Sequence, residues 1–365
     1  MDGAASDTAG GTAGGAADDG AGPTSTTDGV ELAVRALLAR ADGDADAAVH
    51  HARAAAAAGS LLGHALSRYL DPAAGAAAAA GATAPVYDAP AAFQAFVDGG
   101  GNVELYRRTS AALAAVYRRA PRGRVLDLGC GDGLAVVPAV LAAGDAAPAS
   151  VDLVEPSAAL LADCRARCAA AGLAVVAQAP TPTPTPTTPA DAPAGPTPTD
   201  GRGPAAGTTV RTWQTTAQQW LGGPAAGQRW DVVESTFALQ SLPPADRAAV
   251  LSAVADRAAT LAVVEFDVPP EPATPEDRAR SLARRYEHGI AEYGADRDLV
   301  TQGFLVPVLL GLVDPAASRT NWEHPAATWA ADVAAAGWTD VRVEPVADYW
   351  YAPAFLLTAR SGTRG

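Results

Sequence analysis

The run Val125-Leu126-Asp127-Leu128-Gly129-Cys130-Gly131-Asp132-Gly133 constrains this chain more than any other segment. The residues up to Leu128 read as a buried strand. The three glycines that follow lack a Cβ, so the chain can turn sharply there and a ligand can approach the backbone closely. Residues 135–143 then read as a helix whose first N–H groups point back at the loop. Strand, glycine loop and helix in this order serve a nucleotide-like ligand. Glu155 lies twenty-two positions past Gly133, at the end of a second apolar strand over 150–154. A carboxylate there can accept hydrogen bonds from both hydroxyls of a ribose.

Around this run the pattern alternates between strand and helix, which predicts an α/β fold. Seven strands are expected, at 124–128, 150–154, 173–177, 230–234, 261–266, 339–345 and 354–359, the last two as a hairpin. Residues 1–29 are Gly, Ala, Asp and Thr, with too little apolar surface to offset chain entropy, and read as a disordered tail. Residues 30–120 read as a helical N-terminal region. The core spans 121–268, interrupted by a Thr/Pro-rich insertion at 178–209 that repeated proline keeps out of helix and sheet alike. A helical lid insertion follows at 269–324, and 325–365 supplies the last helix and the hairpin.

The formal charge is -14, which repels phosphate backbones and excludes a general nucleic-acid binder. Arginine concentrates at 107–108, 118–124 and 278–285, read as solvated helix faces. Three cysteines are an odd count without repeated spacing, so no disulfide framework is expected. Cys164 and Cys168 stand one helical turn apart with no nearby His or Cys to complete a metal motif, and read as small buried thiols; no metal is expected. His50, His51 and His64 lack ligand spacing. The first residues carry no charged-then-apolar signal pattern. The most apolar stretch, 304–313, is too short for a membrane span and contains Pro307. The expectation is a cytoplasmic protein without a membrane partner.

Two details choose among nucleotide-like ligands. The spacing is Gly-x-Gly-x-Gly, whereas dinucleotide sites use Gly-x-Gly-x-x-Gly. Asp127 precedes the first glycine by two, where a carboxylate can meet the ammonium of a methionine moiety; a pyrophosphate would gain nothing from it. Here the sequence resembles the class I S-adenosylmethionine-dependent methyltransferases of the small-molecule type. The match covers 105 to the C-terminal region, through Val125 to Gly133, Leu153-Val154-Glu155-Pro156, Trp230-Asp231-Val232-Val233-Glu234-Ser235 and the run from Ala336 to Val341. The resemblance implies a Rossmann-like methyltransferase fold, a seven-stranded and mostly parallel sheet with an antiparallel last strand. It implies S-adenosylmethionine as cofactor, with Gly129, Cys130, Gly131 and Gly133 along the methionine part and Glu155 and Pro156 at the ribose. Thr216 and Ala217 would meet the adenine, in a turn where the family often carries an acid. Glu234 and Ser235 would lie beside the cofactor, and Tyr106 on a covering helix.

Methyl transfer needs the acceptor atom about 3 Å from the methyl and water excluded. A hydroxyl acceptor also needs a base. The candidates are His288, His324 and Glu265, with Asp267 beside the last. Tyr286, Tyr293, Phe304, Trp322 and the run Tyr349-Trp350-Tyr351 can build an apolar pocket for a small organic substrate, with a specialised metabolite as the expected acceptor. Two other readings stand beside this one. One is different chemistry with the same cofactor. The other is a structural role, with a homodimer formed through the N-terminal helices.

Overall fold

The computed structural model describes residues 24–71, 90–177, 207–314 and 319–362. Most of the tail over 1–29 and most of the Thr/Pro insertion over 178–209 therefore lie outside the described residues. Three helices open the described part of the chain: α1 (Thr24–Ala41), α2 (Ala45–Ala57) and α3 (Leu61–Leu70). Then come α4 (Pro90–Val97) and α5 (Asn102–Arg119). The α/β part runs β1 (Arg124–Leu128), α6 (Val136–Ala143), β2 (Ser150–Val154), α7 (Ala158–Ala170), β3 (Ala174–Ala177), β4 (Thr209–Trp213), α8 (Ala217–Gly222), β5 (Trp230–Thr236), α9 (Pro244–Ala255) and β6 (Ala258–Phe266). A helical stretch follows, α10 (Pro275–Ala291), α11 (Arg297–Val300) and α12 (Val306–Val313). The chain closes with α13 (Ala326–Ala335), β7 (Trp338–Ala347) and β8 (Ala354–Ser361).

Among the described residues the sheet has eight strands, in the order β3-β4-β2-β1-β5-β6-β8-β7. All pairings are parallel except those of β8, which runs against both β6 and β7. Strand order reverses at β1, with β2 on one side and β5 on the other, so a crevice opens above the carboxyl end of β1. This is the Rossmann-like methyltransferase arrangement with its antiparallel last strand, as the sequence led us to expect. The strand count is corrected from seven to eight. Thr-Val-Arg-Thr-Trp, 209–213, forms a strand that inserts between β2 and β3, and β3 becomes the edge. Its alternation is short and half polar. Arg211 finds its partner across the ladder, Asp152 on β2, at 2.6 Å. A buried acid on one strand and an arginine on the next settle that register, and only the fold brings them together.

One sheet face is covered by α5, α6 and α7, over Val125, Val151, Val232, Ala262 and Val264. The other is covered by α8, α9 and α13, over Leu126, Val233, Leu261 and Val263. A third core joins the N-terminal helices to α10 and α12, with Leu37, Leu62, Leu66 and Leu309 without exposure. Each such leucine contributes roughly 2 kcal/mol of burial. Alanine suits the α2–α3 contact, because a Cβ on Gly63 would already stand 2.5 Å from that of Ala55.

Glu287 of α10 fastens this helical part. Its carboxylate accepts from Ser60 Oγ and from the Leu61 and Leu62 amides, each at 2.8 Å. Those amides are free donors at the start of α3, and an anion there also meets the positive end of the helix. Glu287→Ala is expected to cost about 2–4 kcal/mol, since charge-assisted hydrogen bonds contribute roughly 1.5–3 kcal/mol each and are not additive. Urea midpoints at unchanged slope check it; a shift below about 0.5 kcal/mol would mean water replaces the carboxylate at no cost.

Candidate functional site

The three glycines of the loop all sit in the left-handed region, with φ of 83°, 55° and 82° at Gly129, Gly131 and Gly133. Two of them also need the missing Cβ for space. At Gly129 it would strike the Cβ of Ala238, and at Gly133 it would stand 2.8 Å from Cys164 Sγ. Gly131 has nothing within 4 Å of that position, so its bare backbone faces open space. The Gly129 and Cys130 amides donate to Val154 O, at 2.8 and 3.2 Å, which ties the loop to the end of β2. The Cys130 side chain turns inward to the cluster that holds Cys164 and Cys168, all three being free thiols.

Glu155 leaves β2 beside this loop and is 7 % exposed. One oxygen accepts from the Gly131 amide at 3.1 Å, the other from the Ser157 amide at 2.8 Å. Burial raises its pKa, and these two donors oppose the rise. Pro156 follows on the exposed rim. Asp132 does not face the crevice. It pairs with Arg167 at 3.0 Å and accepts from the Leu134 amide. Thr216 caps α8 through a reciprocal box with Gln219, and Ala217 follows it, both half-buried. The neighbouring Trp213 carbonyl accepts from the Glu155 amide, so the turn adjoins the ribose candidate.

Below the loop lies a pair of buried acids. Asp127 and Glu234 are register partners on β1 and β5. They are 2 % and 0 % exposed. Tyr117 of α5 donates to one Glu234 oxygen at 2.6 Å. The other, with Asp127 Oδ1, has no hydrogen-bond partner. Burial pushes Glu234 up to about 8 and raises Asp127 well above the carboxylate range, helped by the charges of Glu234 and Glu155. Two buried acceptors without donors demand an explanation. A bound cation supplies one. Ser235, next in the chain, points elsewhere and donates to Leu128 O at 2.8 Å.

The catalytic candidates separate. Glu265 ends β6, 1 % exposed, and accepts from the Gln240 amide at 3.1 Å; it holds the turn after β5. Its second oxygen is unpartnered, and burial raises its pKa to about 8. His324 lies in the segment crossing the carboxyl edge, pinned where the Trp322 amide donates to Gln240 O at 2.7 Å. Burial and the nearby Arg247 lower its pKa. His288 stands on the outer face of α10, its side chain 73 % exposed, 3.9 Å from Glu292. The fold does not bring it to the edge.

Tyr106 approaches from α5 and meets the Phe237 ring edge-on at 6.0 Å. It also lines a cleft of about 480 Å³ with Ser110, Leu134 and Pro138, between α5 and the start of α6. Three residues of this region were not singled out from the sequence: Tyr117, Phe237 and Glu323. Tyr117 sits one turn past Leu113 on the buried stripe of α5, so helical spacing marked it as core and nothing marked its hydroxyl. Glu323 stands beside His324, and its partner is far away in sequence: Tyr351, which donates to it at 2.6 Å. Among the described residues no group of three or more His, Cys, Asp or Glu is placed to hold a metal ion, and no helix is long and apolar enough to cross a membrane.

No protein-family model matches the chain, and no curated protein does. Among solved structures it is similar to magnesium protoporphyrin IX methyltransferase from Synechocystis PCC 6803 with bound SAH. That overlap has 14 % identity and a TM-score of 0.42, over 71 % of this chain and 84 % of the other. It is also similar to a putative O-methyltransferase from Nostoc punctiforme PCC 73102, at 13 % identity and TM-score 0.42, over 70 % and 56 %. A third is an O-methyltransferase family protein from Burkholderia thailandensis, at 13 % and 0.41, over 70 % and 57 %. Likeness at this level leaves the chemistry to the residues themselves.

Proposed function

We propose that this protein binds S-adenosylmethionine across the carboxyl edge of β1, β2 and β5 and transfers its methyl group to a small organic acceptor. The observation that carries the reading is the pair of unpartnered buried oxygens on Asp127 and Glu234, beside a loop of three left-handed glycines. A cationic amino-acid end fits those acids, and a nucleoside end fits Glu155. When bound, the cofactor supplies a methyl carbon that leaves sulfur for a lone pair on the acceptor, the sulfur keeping the bonding electrons. The chain's own residues orient and shield. Gly131 lets the backbone approach, Tyr106 and α5 cover the edge, and Glu265 or His324 can take the acceptor's proton.

The cytoplasm as the place of action belongs to the same proposal, as do small molecules rather than nucleic acid as partners, the latter supported by the charge of -14. A homodimer through α1 to α3 would have to use their outer faces, because the inner ones are buried against α10 and α12. The reading is tested by incubating the protein with S-adenosylmethionine and host-cell small-molecule extracts. A product heavier by one methyl, about 14 Da, supports it. Absence of S-adenosylhomocysteine binding by calorimetry overturns it.

A further inference from the structure

Phe237, Phe266 and Tyr349 form a row of near-parallel rings at the carboxyl edge. Centroids are 4.5 Å apart at 17° for the first pair, and 5.4 Å apart at 20° for the second. Tyr106 meets one end edge-on, and Tyr351 meets Phe266 edge-on, each at 6.0 Å. All five rings are half-buried. With Leu105, Ala347 and Ala354, the row makes a small apolar cluster that joins the core beneath α5, α6 and α7 through Phe237. A contiguous aromatic patch left partly open at a strand-end crevice is a binding surface.

The row is continuous with the glycine loop, because Ala238, next to Phe237, is the residue that a side chain at Gly129 would strike. Phe237 itself is held at φ 51°. That conformation is strained for a bulky residue and persists where the position of the ring is over-determined. Beside the middle ring, Phe266, the flank of the row becomes polar, where the Tyr351 hydroxyl donates to Glu323.

Two properties define what fits. Stacked rings cover one another's faces and leave their edges outward. Ring edges are electropositive and π faces electronegative, so a flat π system lying across the row gains edge-to-face contacts along its length. A puckered saturated ring gains only area. The same edge also carries acids, Glu234 and Glu265 buried and Glu323 half-buried, all held toward their neutral forms by burial, and an anion laid beside them would repel any that ionises.

We propose that the acceptor is a planar aromatic molecule without negative charge, laid across the Phe237–Phe266–Tyr349 row with a hydroxyl or amine donor toward Glu323 and Tyr351. This rests on the reading that the adjoining loop holds S-adenosylmethionine. Three probes of one size separate the properties: 2-naphthol (planar, neutral), 2-naphthoate (planar, anionic) and decahydro-2-naphthol (puckered, neutral). Their binding to the full-length protein is measured by equilibrium dialysis, with and without S-adenosylhomocysteine. The naphthol is expected to bind at least about tenfold more tightly than either analogue. Phe266→Leu, which keeps an apolar side chain in place, is expected to remove most of that preference while leaving S-adenosylhomocysteine affinity unchanged. Equal binding of the three, no saturable naphthol binding, or an unchanged preference in the Leu variant overturns the proposal. If S-adenosylhomocysteine fails to bind while the naphthol ranking holds, the cofactor reading falls and the aromatic site stands. The reverse pattern removes the aromatic site alone.

Discussion

Glu155→Ala is expected to weaken S-adenosylhomocysteine binding by about 100-fold, roughly 3 kcal/mol, with a much smaller loss of stability. Hydrogen bonds to a charged acceptor contribute roughly 1.5–3 kcal/mol each, and a ribose diol offers two. The carboxylate is already held for that task. β2 ends at its backbone, the Ser157 amide fixes one oxygen, and the Gly131 amide reaches the other. Little ordering is left to be done on binding. The substitution also strips those two amides of an acceptor. Both lie near solvent in a loop, so water can replace part of the loss, and a cost of about 1 kcal/mol is expected. Glu155→Gln separates the effects. It keeps an acceptor for Ser157 but trades a charged oxygen for an amide that can donate only one way, and a tenfold loss or more is expected. Titration calorimetry at fixed salt, with urea melts on the same samples, checks both variants. Unchanged affinity in the Ala variant with an intact fold would move the ribose elsewhere and leave Glu155 as a loop brace.

The geometry of the glycine loop was largely legible in the sequence, while its supports were not. The glycine loop could be read because three glycines at alternate positions have few structural uses, and each sits at positive φ. Asp127 and Glu155 could be read because acids interrupting or ending apolar strands are conspicuous. By contrast, Thr209–Trp213 was missed as a strand. Its five residues carry weak alternation, and its justification is Asp152 on another strand. His288 and His324 drew attention because histidine is the usual base near neutral pH. Residue type says nothing of which helix face is outward, and α10 turns His288 to solvent. Tyr117 depends on a partner more than a hundred residues away, and Glu323 on one that lies past α13 and β7; no local pattern encodes such a pair.

The second large expectation is that ligand-free stability falls, and cofactor affinity rises, over the same pH window. Glu234 and Glu265 are both pushed up to about 8, and Asp127 and Glu155 are raised too, chiefly by burial. A carboxyl with a raised folded-state pKa binds its proton more tightly folded than unfolded. Its favourable contribution is full below the unfolded value of about 4.3 and is lost as pH rises through about 8. A tenfold difference in proton affinity between the folded and unfolded chain is worth about 1.4 kcal/mol, so even partial ionisation costs the empty protein several kcal/mol between pH 5 and 8. An ammonium placed between Asp127 and Glu234 reverses the balance. It stabilises their ionised forms, so binding expels a proton below pH 8 and strengthens as pH rises toward it. Calorimetry at pH 6.5 in two buffers of different ionisation enthalpy is expected to show release of about one proton per S-adenosylhomocysteine bound. Glu234→Gln keeps a hydrogen-bond partner for Tyr117 and cannot ionise. That variant is expected to lose the part of the pH dependence of its melting temperature that Glu234 contributes, with Glu265 still titrating, and to bind at least about tenfold more weakly above pH 7, where the wild-type acid is increasingly charged. Flat proton release across the window would place the cation away from these acids and leave their two unpartnered oxygens to be satisfied by water.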